Sequence, residues 1–366
     1  MSNALDAARE LAIRSLIERA PLAGTLAQAF KAKGFKLALV GGPVRDAILG
    51  RLGNDLDFTT DARPEITKEI LKNWAEHIWE TGIEFGTIAG KRGETTVEIT
   101  TYRSDKYDPS SRKPEVEFGD NIEGDLSQRD FTVNAMALEL TDDKPVFIDV
   151  FNGVQDLGAK ILRTPVSPEQ SFSDDPLRMM RAARFAAQLN FEVEASALKA
   201  MHEMAERINI ISAERVRDEL IKLLMSDQPR KGIEILVATG LADLVLPEIP
   251  KLKLEIDEHH HHKDVYEHSL TVLEQAIALE TRLGGKNLVI RLAALLHDIG
   301  KPKTRELIPG GGVSFHHHEV VGARLAKERL KKLRFSNEVI EEVELLISLH
   351  LRFHGYGDGE WTDSAV

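Results

Sequence analysis

The sequence contains no cysteine, which excludes disulfide bonds, cysteine-ligated zinc, iron–sulfur clusters and a thiol nucleophile. It also lacks any apolar run near the roughly 20 residues that a membrane-spanning helix needs. The first 20 residues are interrupted by charges such as Asp6, Arg9 and Arg14, so they have neither the apolar centre nor the cleavage site of a signal peptide. We therefore expect a cytoplasmic protein with no membrane partner.

Basic residues are in the minority, and the net charge is −12 over 366 residues. This argues against a simple basic coat for nucleic acid. It does not exclude a local basic groove. Net charge governs solubility and the long-range attraction of charged partners, not the charge at one site. Hydrophobic residues make up 42% and charged residues 29% of the chain, an ordinary globular composition. The length predicts two or three domains.

The hydropathy pattern of the sequence changes along the chain. Residues 1–158 mix short β-rich runs with helical stretches, and a helical period dominates from about residue 159. The fold class that we predict is an α/β (α+β) domain with a small mixed β-sheet over residues 1–158, followed by helical segments. We place these all-α segments at residues 159–225, 226–254 and 255–366.

Three short runs in the first segment have the pattern of β-strands. Leu37–Val40 is apolar, Asp55–Phe58 alternates polar and apolar residues, and Thr96–Tyr102 is rich in β-branched residues. Residues 104–127 are polar and contain several turn-forming residues, which predicts a loop.

The first run ends at a diglycine turn, where a helix is predicted to begin. Gly41 and Gly42 let the main chain approach a phosphate, and Arg45 adds a guanidinium to the same place. Alone, this pattern also fits a simple tight turn.

The second run adds two carboxylates that change this interpretation. Asp55 and Asp57 are two apart on a strand and therefore point to one face, where they repel each other unless a cation lies between them. Hard oxygen ligands suit Mg²⁺. Glu98 is a third acid in mid-strand, and three such acids can hold two metal ions for in-line nucleotidyl transfer.

With these residues in place, the chain resembles the nucleotidyltransferase superfamily of the DNA polymerase β type. More narrowly, it resembles the class II tRNA nucleotidyltransferases (CCA-adding enzymes) and the bacterial poly(A) polymerases. The resemblance implies a five-stranded head domain followed by a helical neck and body. It also implies that Asp55 and Asp57 are metal ligands and that Glu98 is the third catalytic carboxylate.

A second motif resembles the family's segment that contacts ribose. In Gln128–Ala137, the resemblance assigns nucleotide binding to Arg129, Asp130 and Asn134. Gln128 stands where the family has a first arginine, so one cation is missing from this contact.

A third motif, Asp174 to Arg178, resembles the family's E-D-x-x-R motif. In the family, the aspartate and the arginine of this motif contact the base. Asp174 stands here in place of the usual glutamate. A carboxylate accepts from the exocyclic amine of cytosine or adenine, and an arginine three residues later on the same helix face donates to the ring nitrogen. Guanine and uracil fail both contacts. We assign base recognition to Asp175 and Arg178, and further nucleotide contacts to Arg181 and Arg184.

Other matches to the family are predicted to be structural. Asp149–Leu157 resembles the hinge between head and neck, and Glu214–Arg217 resembles the motif that steadies the base-reading helix. Ser212 is the predicted N-cap of that neck helix. The predicted loop at residues 104–127, which contains Ser111–Pro114, resembles the family's flexible loop, which is implicated in switching from C to A addition.

The last segment is rich in histidine, from His259–His262 onward. Leu295–Lys301 resembles the signature of HD-type metal phosphohydrolases. Neutral imidazoles suit Ni²⁺, Mn²⁺ or Co²⁺, and a carboxylate completes a mixed site. The predicted ligands are His268, His297 and Asp298, with His318 and His350 for a second ion.

The family pattern ends with an aspartate after the last histidine, for which Asp363 is the late candidate. The chain stops shortly after it, on what looks like the start of a helix, so we expect the HD segment to be incomplete at its C-terminus. The sequence leaves open whether this segment is a working hydrolase or a structural one.

The leading interpretation is a template-independent enzyme that adds CCA from CTP and ATP to the 3′ end of tRNA and releases pyrophosphate. CC-adding, A-adding and poly(A)-synthesising siblings stay open, as do a phosphohydrolase as the main activity and an RNA-binding scaffold. The sequence does not determine the oligomeric state.

Overall fold

The structure is a computed structural model, and it describes residues 2–103, 118–119, 121–141, 144–253, 264–307 and 313–353. The chain divides into two compact units. The first comprises residues 1–178 and 192–200, and the second comprises residues 179–191 and 201–366. The predicted boundaries at residues 158, 225 and 254 stay predictions.

One sheet of seven strands forms the centre of the first unit. Its strands are β1 (Leu37–Val40), β2 (Asp55–Thr60), β3 (His77–Trp79), β4 (Thr87–Arg92), β5 (Thr95–Thr101), β6 (Ala137–Glu139) and β7 (Val146–Ile148). Their spatial order is β3-β4-β5-β2-β1-β6-β7. Only the β2–β5 pair is parallel, so the sheet is mixed, as predicted. The prediction of five strands is wrong, because two further strands of three residues each, β3 and β7, pair at the two edges of the sheet.

The helices of the first unit lie before, between and after these strands. They are α1 (Ser2–Arg19), α2 (Leu22–Ala32), α3 (Gly42–Ile48), α4 (Pro64–Trp74), α5 (Ile122–Ser127), α6 (Gly153–Ala159) and α7 (Pro168–Asp174). Two helices, α8 (Leu177–Leu189) and α9 (Ala195–Glu203), continue from one unit into the other. A small parallel pair, β8 (Ile161–Leu162) and β9 (Glu192–Val193), completes the first unit.

The end of the predicted 104–127 loop is a helix instead. The side chain of Asn121 accepts a hydrogen bond from the Gly124 main-chain nitrogen over 2.7 Å and so caps α5. Leu126 on this helix is buried against Ala38 and Val40 of β1. The cap and this contact stabilise a short helix that composition alone does not predict.

The two faces of the sheet are covered differently. We call the face that carries Asp55, Asp57 and Glu98 the front face. The opposite, back face packs against α4, where a Cβ added to Gly90 would lie 3.4 Å from a Leu71 methyl carbon. On the front face α5 covers the β1–β6 part, which leaves the three acids uncovered by that helix.

The second unit is helical. Besides parts of α8 and α9, it contains α10 (Ala213–Leu224), α11 (Pro229–Ala238), α12 (Leu241–Val245), α13 (Val265–Leu279), α14 (Leu288–Leu296), α15 (Lys301–Thr304), α16 (His318–Lys332) and α17 (Asn337–Leu349). A two-stranded hairpin, β10 (Glu306–Leu307) and β11 (Val313–Ser314), lies between α15 and α16. As predicted, the Ser212 hydroxyl caps α10, accepting from the Arg215 main-chain nitrogen. Among the described helices, none is long and apolar enough to cross a membrane.

Candidate active site and metal centre

The diglycine turn brings the main chain against two of the predicted site residues. Gly41 has φ 74°, in the left-handed region that favours glycine. A Cβ on Gly41 would lie 3.0 Å from Nη1 of Arg129 and 3.9 Å from Oδ2 of Asp57. Helix α3 begins at Gly42, as the pattern predicts. Gly41 therefore keeps open the space between a carboxylate and a guanidinium.

The three predicted catalytic acids lie on the front face of adjacent strands. Asp57 is opposite Glu98 in the parallel β2–β5 register, and Asp55 is opposite Thr96. Asp55 and Glu98 are exposed, and Asp57 is half-buried. Among the residues that the structure describes, the groups of three candidate ligands whose atoms all lie within 4.8 Å of one another are in the second unit. The carboxylate oxygens of Asp55, Asp57 and Glu98 are therefore spaced more widely than the ligand atoms of those groups.

A buried network connects the turn to the ribose motif. Nη1 of Arg45 donates to Oδ1 of Asn134 over 2.5 Å, and Nδ2 of Asn134 donates to Oδ1 of Asp130 over 2.9 Å. Nη2 of Arg129 donates to Asp125 over 3.2 Å. The network holds Arg45 in place through Asn134, and the phosphate contact of Arg45 stays a prediction.

The base-reading pair has a different local geometry from the one predicted. Helix α7 ends at Asp174 and α8 begins at Leu177, so Asp175 is outside both helices and has an extended backbone with φ −139°. Its Oδ1 accepts from the main-chain nitrogen of Leu177 over 3.1 Å, which caps α8. The prediction that Asp175 and Arg178 share a helix face is wrong, because Asp175 lies between the two helices and caps the second.

Arg178 is nearly buried and is held from two sides. Its Nη1 donates to the Ser171 hydroxyl over 2.9 Å, and its Nη2 donates to the main-chain carbonyl of Gln128. Arg178 thus joins α7 to the ribose motif, in the first unit. The sequence did not predict the contact of Ser171 with Arg178. The two residues lie on different helices, and spacing rules apply only within one helix.

Arg181 and Arg184 belong to the second unit. Nε of Arg184 lies 2.6 Å from Oε2 of Glu219 on α10, and both side chains are nearly buried. The Arg184 guanidinium also lies 3.9 Å from the ring centre of Phe185. The motif predicted to steady the base-reading helix ended at Arg217, whereas the residue on α10 that contacts Arg184 is Glu219. Nucleotide contacts by Arg181 and Arg184 stay predictions.

The second unit brings all five predicted HD ligands together around Asp298. The Nε2 atoms of His297 and His318 each lie 3.2 Å from an Asp298 oxygen. The Nε2 atoms of His268 and His350 lie at 3.8 Å and 3.9 Å. Two groups of three candidate ligands result, and Asp298 belongs to both.

Main-chain carbonyls orient three of these imidazoles. Each Nδ1 contacts the carbonyl oxygen three residues earlier. The pairs are His297 with Ala294 (2.9 Å), His318 with Phe315 (2.7 Å) and His350 with Ile347 (2.7 Å). Because a carbonyl can only accept, Nδ1 of each ring is the donor in this contact, which leaves its Nε2 to face the cluster around Asp298. Such a hydrogen bond is typical of histidines that bind a metal through the other nitrogen.

Close packing at Gly300 helps to place these ligands. A Cβ on Gly300 would lie 2.1 Å from the His318 carbonyl oxygen, so only glycine allows this approach. The next residue, Lys301, donates from Nζ to Oδ2 of Asp298 over 2.7 Å. The sequence patterns did not single out Lys301 as a partner of the shared carboxylate.

The cluster shifts the pKa values of its members in different directions. Burial raises the pKa of Asp298, but hydrogen bonds from His297 and His318 and the Lys301 charge outweigh burial and hold this pKa below its ordinary value. Burial lowers the pKa of His318, but its hydrogen bonds outweigh burial and the net shift is upward. Burial lowers the pKa of His350. Asp298 is therefore ionised and able to share a cation.

Several residues singled out from the sequence lie outside the described part of the chain. They are Ser111–Pro114, His259–His262 and Asp363. His316 and His317 are described and exposed, and they belong to neither of the two ligand groups around Asp298.

Comparison with known protein families matches three consecutive parts of the chain. Residues 37–163 match the poly A polymerase head domain, and residues 190–252 match a probable RNA- and SrmB-binding site of polymerase A. Residues 265–363 match the HD domain.

Similar curated proteins are CCA-adding enzymes. That of Lactobacillus helveticus is 40% identical over 228 residues, which is 62% of this chain and 54% of the relative. That of Streptococcus suis is 42% identical over 208 residues, which is 57% of this chain and 50% of the relative. The chain thus spans about half the length of the curated relatives it matches.

Similar solved structures include the Bacillus stearothermophilus CCA-adding enzyme in complex with CTP, with a TM-score of 0.61 and 27% identity over 90% of this chain and 69% of that one. The Thermotoga maritima CCA-adding enzyme complexed with tRNA has a TM-score of 0.66 and 21% identity, over 96% of this chain and 79% of that one. The second likeness concerns the fold alone.

Proposed function

The chain belongs to the family of class II tRNA nucleotidyltransferases and bacterial poly(A) polymerases, with a C-terminal HD domain, and from this premise we propose that it adds CCA to the 3′ end of tRNA without a template. The observation that carries the proposal is the set Asp55, Asp57 and Glu98 on one open sheet face beside the Gly41 turn. We expect it to act in the cytoplasm, where tRNA, CTP and ATP meet.

The donor set of the front face fits Mg²⁺. Asp55 and Asp57 offer hard carboxylate oxygens at an exposed strand end, and Glu98 adds a third from the neighbouring strand. When bound, Mg²⁺ lowers the pKa of the attacking hydroxyl and neutralises charge on the leaving pyrophosphate. The chain itself supplies the positions of these oxygens and, through Gly41 and Arg129, a place for the phosphates.

The reaction is a displacement at phosphorus. The terminal 3′-hydroxyl oxygen of the RNA forms a bond to the α-phosphorus of CTP or ATP, and the bond from that phosphorus to the bridging oxygen breaks. Pyrophosphate leaves with the bridging oxygen, and the hydroxyl proton passes to water. Positioning of the two reactants supplies much of the rate enhancement in such transfers.

Base selection depends on Asp175 and Arg178. The carboxylate accepts from the exocyclic amine of cytosine or adenine, and the guanidinium donates to the adjacent ring nitrogen. Ser171 and Gln128 fix the guanidinium, so it cannot turn to suit a base with the opposite donor and acceptor order. A guanidinium held in this way selects the base, which is the role that a template strand has in templated synthesis.

Asp175→Asn tests this assignment without removing the helix cap. The amide keeps an oxygen for the Leu177 nitrogen but can offer an NH₂ group to the carbonyl of uracil. We expect the preference for CTP over UTP in kcat/KM to fall about ten-fold, since one base contact is worth about 1–3 kcal/mol. Asp174→Asn, at the end of α7, is the matched control. An unchanged CTP/UTP ratio contradicts the assignment.

Extension of three tRNA transcripts tests the proposed function as a whole. The transcripts end before CCA, after one C and after CC, and each is incubated with Mg²⁺ and labelled nucleotides. Addition of C, C and A followed by a stop is the expected result. A stop after CC, activity only on the CC end, or a run of A residues would each identify a sibling activity instead. These siblings are not favoured, because the similar proteins named above are CCA-adding enzymes.

For the HD cluster we propose a transition metal such as Ni²⁺, Mn²⁺ or Co²⁺. The donor set, with four imidazoles around one ionised carboxylate, fits such ions better than Mg²⁺. His268, His297 and Asp298 would hold one ion, and Asp298, His318 and His350 a second. Bound there, an ion would act as a Lewis acid toward a phosphate ester.

His318→Ala is expected to weaken binding of Mn²⁺ and Ni²⁺ at least about ten-fold, because it removes one of the oriented ligands. The matched control is His317→Ala, whose imidazole is the exposed neighbour. Thermal melts with and without metal measure the effect, since bound metal at 100 times Kd stabilises by about 2.7 kcal/mol. Equal stabilisation of both variants would show that the ion binds elsewhere.

A further inference from the structure

The front face continues beyond the three acids to the edge of the sheet. In the strand register, Asp57 is opposite Glu98, Glu98 is opposite Ala89, and Ala89 is opposite Trp79. Residues that are directly opposite on paired strands point to the same face. Trp79 on the edge strand β3 therefore belongs to the same face, and to the same cross-strand row, as two of the predicted catalytic acids.

The neighbouring row places a second aromatic residue and a cation on this face. Asp55 is opposite Thr96, Thr96 is opposite Lys91, and Lys91 is opposite His77. The rings of His77 and Trp79 have their centres 6.4 Å apart. Among the residues that the structure describes, Lys91 forms no ion pair. The edge of the front face thus combines two aromatic rings with a lysine.

Packing within the first unit does not account for Trp79. Its side chain is 45% exposed, and His77 is exposed as well. Trp74 shows the contrasting case, because it is 7% exposed and its Nε1 donates to the Thr25 hydroxyl over 2.9 Å. A large aromatic side chain left open to solvent beside a reactive site is typical of a binding surface.

We propose that Trp79, with His77 beside it and Lys91 next to them, is a stacking platform for the single-stranded 3′ tail of the RNA substrate. This inference rests on the proposed function. Aromatic rings stack on any base, and a lysine neutralises the phosphate between bases. Three strand spacings of about 4.8 Å separate Trp79 from Asp57, or about 14 Å. A stacked strand rises about 3.4 Å per nucleotide, so the platform contacts a base within the last few nucleotides.

Single-stranded RNA is the occupant because the platform is continuous with the acids that the RNA end must reach. The 3′-hydroxyl has to lie beside Asp57 and Glu98, and the nucleotides behind it must cross a neighbouring surface. Across β5 and β4 that surface is formed by Ala89 and Thr96, which are small enough to let a strand pass. Beyond them lie the two rings and Lys91.

The test compares Trp79→Ala with Trp79→Phe on a tRNA transcript ending in CC. We expect the alanine variant to bind this RNA about 5- to 100-fold more weakly, with a raised KM for RNA and an unchanged Kd for CTP. The phenylalanine variant keeps a ring and should stay within about three-fold of the parent, since sequence-tolerant stacking needs only a π-face. RNA should quench tryptophan fluorescence in the parent and much less in Trp79→Phe. Val146→Ala is the control, because Val146 is an exposed apolar residue on the opposite edge strand.

A transcript without its single-stranded tail distinguishes the platform from other contacts. The parent and Trp79→Ala should bind the tailless RNA equally. Equal binding of the tailed transcript would overturn the inference, and so would an equal loss on both transcripts. A change in self-association by sedimentation without a change in RNA binding would show an interface between copies instead. If the parent adds no nucleotide, the proposed function fails, while the binding and quenching measurements still decide the platform.

Discussion

Asp57→Asn is expected to abolish nucleotide addition while leaving the fold intact. Asp57 lies in β2 directly opposite Glu98, beside the space that Gly41 keeps open. Asparagine has nearly the same shape but no negative charge to hold a cation. Loss of a ligand worth about 4 kcal/mol in the transition state corresponds to about a thousand-fold decrease in kcat. Single-turnover incorporation of labelled C at saturating CTP and Mg²⁺ measures this decrease.

A second carboxylate on the same face provides the control for this experiment. Glu139 on β6 is opposite Ala38, which is itself opposite Thr59, so Glu139 shares the front face with Asp57. Glu139→Gln removes a negative charge from that face but not from the predicted site. It should retain incorporation within a few-fold of the parent. A loss of similar size in both variants would mean that general surface charge, rather than a metal site, is being measured.

Arg291→Met is expected to give the largest loss of stability in the second unit. The Arg291 side chain is 1% exposed, and its Nε and Nη2 each lie 2.6 Å from an oxygen of Glu280. Its Nη1 donates to the main-chain carbonyls of Leu224, the last residue of α10, and of Ser226, just beyond that helix. Removing one partner of a buried ion pair leaves the other charge uncompensated and costs about 3–5 kcal/mol. Urea unfolding followed by circular dichroism measures this loss in the free energy of unfolding.

Two variants separate the buried charge from other effects. Lys286→Met removes an exposed partner of Asp227 and should cost at most about 1 kcal/mol. Arg291→Met combined with Glu280→Leu should recover much of the lost stability, because no charge stays buried. If Arg291→Met unfolds like Lys286→Met, the pair does not contribute as the geometry indicates.

The same pair predicts a dependence of stability on pH. The hydrogen bond from Arg291 lowers the pKa of Glu280 below its ordinary value of 4.5. A lowered pKa in the folded state stabilises the protein above the unfolded-state value, and this contribution disappears as the pH falls through the lowered pKa. The parent should therefore lose this contribution below pH 4.5, and Arg291→Met, which lacks it, should show a smaller decrease there.

Local patterns were sufficient to predict the parts of the fold that depend on neighbouring residues. The strand Leu37–Val40 and its glycine turn, and the Ser212 cap, follow from hydropathy period and backbone freedom. The HD ligands were predicted through the resemblance, and the structure brings them together around one carboxylate.

Features that depend on contacts distant in sequence could not be predicted in this way. Asp175 was placed on a helix because an i, i+3 spacing suits one, whereas its extended backbone is visible only in the structure. The Arg184–Glu219 pair joins two helices, and no single-segment pattern encodes it. The edge strand His77–Trp79 is too short to give a periodic signal.

The parallel pairing of β2 with β5 determines when the candidate site can form during synthesis. Thr59 and Thr100, which bond across this pair, are 41 residues apart, and Glu98 lies on the later strand. Asp55 and Asp57 therefore leave the ribosome well before their partner does. Loop-closure entropy must be overcome before such non-local pairing becomes favourable, so the acids assemble late. A nascent chain that ends before β5 holds two of the acids without the third, and we expect it to have no premature activity on tRNA.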